Sequence, residues 1–251
     1  ATVVQGIAMY LGDTDYTLSL LIASEKDAEK TRRYLQSGNV DGALVLSHHS
    51  DDRAYAMLAK SIPVVFGGRP METEGSAAYY IDVDNTSAAR DVTQRLIDRG
   101  RTRIATIAGP ADMSAGLDRL TGWTEALAAA GLATDLVAHG DFTPASGEEA
   151  MRRLLERDPT IDGVFVANSL MASGALGVLR AHGKSVPDDL GLVTFDNDYT
   201  AQSAIPPLTT VEQPTGDQGR RMVDVLLHLI DGGTAPQITM MPTTIIERGS
   251  E

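Results

Sequence analysis

Four places in the sequence set polar or cationic residues directly behind an apolar run of strand length. Ser47 and His48 follow GALVL, Gly67, Gly68 and Arg69 follow VVF, Asn168 and Ser169 follow GVFVA, and Asp196 and Asn197 follow LVTF. Hydroxyl, amide, carboxylate and guanidinium groups in such positions can exchange hydrogen bonds with a small polar molecule, and the carboxyl ends of strands are where open α/β sheets bind ligands. Any one of them serves equally well as a helix cap or turn residue. Four at equivalent ends point to a cleft.

Bond-making chemistry finds no comparable support. Gly183-Lys184-Ser185 resembles the end of a phosphate loop, but the position of the required first glycine is Val178 and the segment follows a helical pattern instead of a strand. His48 and His49 are strand-end neighbours that point to opposite faces, with no carboxylate at helical ligand spacing, so no metal site is expected. There is no G-x-S-x-G elbow, and His139, His182 and His228 stand near no recognisable serine and acid partners. Asp51-Asp52 and Asp188-Asp189 fall at expected helix starts or turns, where charge–dipole interaction accounts for them. The chain is read as a non-enzyme with no cofactor and no metal.

The elements that must carry these residues alternate along all 251 residues between strand-length apolar runs and helical periods, the pattern of an α/β fold with parallel sheets. Helices are expected from Val3 to Leu11, Glu25 to Ser37, Asp51 to Lys60, from a cap at Asp84 or Asn85 to Arg99, and over Leu117 to Ala130, Ser146 to Arg157, Leu170 to His182 and Gly216 to Ile230. Asp84 or Asn85 is the expected cap of the fourth, and Ser146 with Glu149 has the spacing of a capping box. Strands are expected at Tyr16–Ala23, Val40–Ser47, Pro63–Phe66, Tyr79–Val83, Ile104–Ala108, Leu136–His139, Gly163–Ala167, Leu190–Phe195 and Leu208–Val211, with Thr239–Ile246 extended. No Ser/Gly linker marks a sequential boundary, which suits two lobes built from interleaved segments.

Composition narrows the function. Lys plus Arg number 21 against 34 Asp plus Glu, a formal net charge of −13 that would repel a phosphate backbone, so this chain is not itself a nucleic-acid-binding module. With no cysteine, disulfides and thiolate chemistry are excluded. No apolar run reaches about 18 residues and no basic-then-apolar leader opens the chain, so neither a membrane span nor a signal peptide is expected, and a cytoplasmic location follows.

From Asp82 onward the chain resembles the effector-binding core of the lactose-repressor/galactose-repressor (LacI/GalR) family of bacterial transcription regulators. The likeness is carried by VDN (83–85), IATIAGP (104–110), DRLTGW (118–123), VFVANSLMASGAL (164–176), VPDDLGLVTFDN (186–197) and IPPLTTVEQP (205–214), with GNVDGALVLS and IPVVF matching earlier in pattern. The resemblance implies a periplasmic-binding-protein-like fold: two doubly wound parallel-sheet lobes joined by three crossing segments near Val83-Asp84, Glu212-Gln213 and Met240-Met241. Residues 1–83 with 213–240 would form the N-terminal lobe, its first strand missing, and residues 84–212 with 241–251 the C-terminal lobe.

It further implies a small-molecule effector, a sugar or related polyol, in the cleft between the lobes. Arg119 matches the family's effector-contacting arginine, Asp196 an aspartate that accepts from ligand hydroxyls, Asn168 an amide contact, and Phe142 a ring that stacks on the sugar face. Ser47, Gly68 and Gln213 are carried over at the rim. A carboxylate can accept from two hydroxyls and a guanidinium offers a fork of donors, so the pair suits a polyol. Where the family has Asn-Asp, this chain has Asn168-Ser169, one carboxylate fewer. The family reading also implies a homodimer, with the small-residue helix Leu170–His182 as a candidate contact, and operator DNA bound through a headpiece absent from this chain. A transport-linked periplasmic sugar-binding protein of the same fold is the alternative.

Overall fold

The computed structural model describes residues 2–22, 28–47, 61–71 and 78–251. His48, His49, Asp51-Asp52 and the helix expected from Asp51 to Lys60 lie outside them. The chain divides into two compact units, Ala1–Val83 with Asp112–Ser114 and Pro214–Pro242, and Asp84–Ala111 with Ala115–Gln213 and Thr243–Glu251.

In the first unit, β1 (Ala43–Leu46), β2 (Val64–Gly67), β3 (Tyr79–Val83) and β9 (Ile238–Met241) form an all-parallel sheet in the order β1-β2-β3-β9. Alternate residues of β2 feed the two faces: Val64 and Phe66 pack with Leu35 of α2 (Ala28–Gln36), while Val65 packs with Met222, Val225 and Leu226 of α8 (Thr215–Ile230). Helix α1 (Thr2–Leu11) lies on α8 backbone to backbone. A Cβ at Gly6 would stand 2.3 Å from the Gly216 carbonyl oxygen, and one at Gly219 would stand 2.3 Å from that of Val3.

Tyr16–Ile22, the described part of the expected Tyr16–Ala23 strand, joins no sheet, and Leu20 and Ile22 are exposed. This extended stretch and β1 both line a cavity of about 770 Å³, Leu18 and Leu20 from the one and Leu44 and Leu46 from the other. Ladder bonds need backbones about 4.8 Å apart, so propensity alone could not make it a strand.

The second unit carries β4 (Ile104–Ala108), β5 (Val137–His139), β6 (Gly163–Val166), β7 (Gly191–Phe195), β8 (Thr209–Glu212) and β10 (Thr244–Ile246), ordered β10-β8-β7-β6-β4-β5. Only β10 runs antiparallel, at the edge. Its helices among the described residues are α3 (Asn85–Asp98), α4 (Ser114–Ala129, in this unit from Ala115), α5 (Pro144–Arg157), α6 (Ser169–Ala181) and α7 (Tyr199–Ser203). Strand order reverses between β4 and β6, a topological switch point where two connections leave in opposite directions and open a crevice at the strands' carboxyl ends. The residues of β4, β6 and β7 are buried throughout, as a sheet covered on both faces requires.

One local expectation needs correction. The capping box does not form: α5 starts at Pro144, Thr143 is the cap through its hydroxyl, which accepts from the Ser146 N–H at 3.3 Å, and Glu149 pairs instead with Arg152 and Arg153. Proline at the first helical position costs no hydrogen bond, which moves the start two residues upstream. Among the small residues of Leu170–His182, Gly174 serves a contact within the unit. Gly174 lets α6 meet α5 so closely that a Cβ there would stand 2.0 Å from the Pro144 carbonyl oxygen, and one at Gly147 would stand 2.2 Å from that of Met171.

Gly177, on the same helix, is exposed and has open space around its missing Cβ. Gly177→Ala is therefore expected to stabilise the chain by about 0.5–1 kcal/mol through helix propensity, and Gly174→Ala to destabilise it by about 1–3 kcal/mol through overpacking, read as opposite shifts in urea midpoint.

Candidate functional site

The second unit gathers five of the seven candidate ligand residues at the carboxyl ends of its strands. Arg119 rises from α4, which follows β4, and is 5% exposed although it carries a full charge. Burying a guanidinium is costly unless its donors are engaged. Its Nε donates to Asn85 Oδ1 at 2.9 Å and its Nη1 to the carbonyl of Ala167, just past β6, at 2.7 Å. Its planar face lies 3.7 Å from the centre of the Phe195 ring, at the end of β7, and 6.0 Å from that of Phe142. Helix α3, the end of β6 and the end of β7 thus fix one cation, in the crevice that the β4/β6 reversal creates.

Phe142 sits in the turn between β5 and α5 with φ of 67°. Asp141 builds that turn: its Oδ1 accepts from the Thr143 hydroxyl at 2.6 Å and the Thr143 N–H at 3.0 Å, and Ser146 Oγ accepts from the Asp141 N–H at 3.0 Å. The hydrogen bonds from the Thr143 and Ser146 side chains and the Thr143 amide hold the Asp141 carboxyl below the usual carboxylate range. The Phe142 ring covers Gly109, where any Cβ would meet it at 2.5 Å. Asn168 caps α6 by accepting from the Met171 N–H at 2.9 Å, and its Nδ2 donates to the Phe142 carbonyl at 3.1 Å. Its amide is thereby bound into the turn that presents the ring.

Asp196 follows β7 with φ of 76° and accepts from Gln213 Nε2 at 2.7 Å. The neighbouring Asn197 donates to Glu212 Oε1 at 2.7 Å and accepts from Arg248 at 2.5 Å, so it is spent on structure. Ser169 donates to Asp198 Oδ2 at 2.9 Å. Ser47 and Gly68 belong to the first unit, just after β1 and at the end of β2, with φ of 54° and 96°.

Among the described residues, only Ser47, Phe142 and Asp196 are non-glycine residues with positive φ. All three are candidate ligand residues, and such strain concentrates at functional sites. Asn85 and Phe195 are contacts of Arg119 that the sequence reading had placed only as a possible cap and a strand residue. For Asn85 a signal existed: Asp84 accepts from the Ser87 N–H at 2.9 Å and takes the cap, which leaves an asparagine of poor helix propensity in the first turn without a local reason.

The left-handed backbone gives a direct test on stability. Asp196→Gly removes the Cβ that this conformation disfavours, whereas Asp196→Ala keeps it. The glycine variant should be the more stable of the two by about 1 kcal/mol in chemical denaturation, and equal stabilities would contradict the backbone assigned to this position.

Comparison with known proteins agrees with this fold. The family model of a periplasmic binding protein-like domain matches residues 93–251. The HTH-type transcriptional regulator CelR of Thermobifida fusca is 44% identical over 248 residues, covering 97% of this chain and 73% of that protein. The ribose operon repressor of Escherichia coli K12 is 33% identical over 257 residues, covering 98% and 76%. A solved structure of a transcriptional regulator CelR–cellobiose complex superposes with a TM-score of 0.95 at 42% identity, over 100% of this chain and 78% of that one. These relatives are regulators, and they do not favour the transport-linked alternative. The chain belongs to the LacI/GalR family of transcriptional regulators and is its periplasmic-binding-protein-like, effector-binding core.

Proposed function

We propose that this core senses a short β-linked glucose sugar of the cellobiose type, and that the regulator it serves answers that sugar at an operator. The observation that carries the reading is the buried Arg119, held from three elements at the strand ends beside the Phe142 ring. A pyranose offers vicinal hydroxyls to a fork of N–H donors and an apolar face to an aromatic ring, and Asp196 adds a carboxylate that accepts from hydroxyls. Gln213 keeps that carboxylate in place. Asn168 acts beside Phe142, and Ser47 and Gly68 are contacts whose role rests on the family resemblance. The choice among sugars rests on the likeness to the cellobiose-bound regulator.

No bond is made or broken in this function. The sugar alters DNA affinity only as far as it binds one arrangement of the protein more tightly than another. A homodimer bearing two headpieces on a pseudo-palindromic operator, working in the cytoplasm, completes the reading, and the charge of −13 confines DNA affinity to the headpiece.

Thermal unfolding with added cellobiose, glucose or ribose tests the reading. At about 100 times its Kd, a ligand confined to the folded state adds about 2.7 kcal/mol, a rise of several degrees in Tm. Cellobiose should give that rise, the monosaccharides less, and Arg119→Gln or Asp196→Gly should abolish it. A Tm that cellobiose leaves unmoved, or that rises equally in Arg119→Gln, refutes the proposal.

A further inference from the structure

Asn85 is 2% exposed, opens α3, and is not the cap of that helix, since Asp84 is. Its side-chain oxygen lies 2.9 Å from Arg119 Nε, 34 residues away in sequence. A guanidinium is a plate, and holding it in one orientation takes two in-plane anchors and one facial contact. Ala167 O is one anchor, the Phe195 ring is the face, and Asn85 Oδ1 is the second anchor. The Ala167 carbonyl holds one tip and the Nε bond holds the stem side, two in-plane points set apart on the plate. An amide oxygen holds the stem side as a neutral acceptor, adding no negative charge of its own beside the cation.

We propose that Asn85 is the positioning residue that sets the plane in which Arg119 presents its donors to sugar, an inference that rests on Arg119 being a sugar contact. Asn85→Ser shortens the side chain beyond reach of Nε while remaining compatible with a helix's first turn. Asn85→Asp keeps an acceptor at the same distance.

The experiment has two arms. In the ligand-free chain, the Arg119 Nε–H is followed by ¹⁵N NMR. It should exchange slowly with water in the parent and in Asn85→Asp, and fast in Asn85→Ser. In calorimetric titration with cellobiose, Asn85→Ser should bind about tenfold more weakly or worse, the size expected for a lost buried hydrogen bond, and Asn85→Asp should stay within about threefold of the parent. In an Arg119→Gln background, Asn85→Ser should add no further loss. An Nε–H still protected in Asn85→Ser overturns the positioning role whether or not cellobiose binds. Parent-like affinity in Asn85→Ser together with lost affinity in Arg119→Gln also overturns it and leaves the sugar reading standing. Parent-like affinity in Arg119→Gln refutes the sugar reading itself.

Discussion

The architecture of the second unit turns on the burial of one guanidinium. A charged side chain that is 5% exposed persists only where the fold supplies acceptors at fixed places. Here the supply is topological. Strand order reverses between β4 and β6, so their connections leave in opposite directions, and in the crevice this opens Arg119 of the helix after β4 reaches the Ala167 carbonyl. A sheet wound in one direction would cover that carbonyl with the next crossover helix. Phe195 closes the face from β7, and α3 brings Asn85 to the stem. The burial of this cation at the crevice is therefore a consequence of strand order, with side chains that suit it.

The same constraint explains the glycines around the site. Gly109 must lack a Cβ because the Phe142 ring occupies that volume, and a Cβ at Gly122 of α4 would stand 2.2 Å from the Thr86 carbonyl oxygen. The second contact lets α4 lie directly on α3, and it shortens the path between Arg119 and Asn85. Close backbone approach here sets which residue types can reach one another.

Much of this was legible in the sequence because burial on both faces writes itself as near-continuous apolar runs: Ile104–Ala108 falls where the pattern places it, and Gly163–Val166 within one residue of it. What failed did so for non-local reasons. Tyr16–Ile22 has a strand's composition, yet pairing depends on a neighbouring backbone, and a cavity stands beside it instead. Ser146 and Glu149 have the spacing of a capping box, but Pro144 begins the helix earlier. The small-residue pattern of α6 correctly signalled close approach and could not say by what, which proved to be α5. Asn85 was hidden because its partner lies 34 residues on, and no local period links the two.

Ser169 stands where the family resemblance implies an aspartate, and a carboxylate from the next loop reaches it. With serine there, the hydroxyl donates to Asp198, whose other oxygen accepts from the Ala201 N–H to cap α7. The negative charge near the start of α6 is thus carried by the next loop, where it also engages a helix terminus and loses less by being partly buried. Phe142 and Asp196 make the complementary case. Both hold a backbone conformation that glycine would adopt with less strain, so a chain selected for stability alone has reason to place glycine there. The side chains kept against that preference have partners inside the fold that glycine could not supply, the Gly109 backbone under the Phe142 ring and the Gln213 amide on the Asp196 carboxylate.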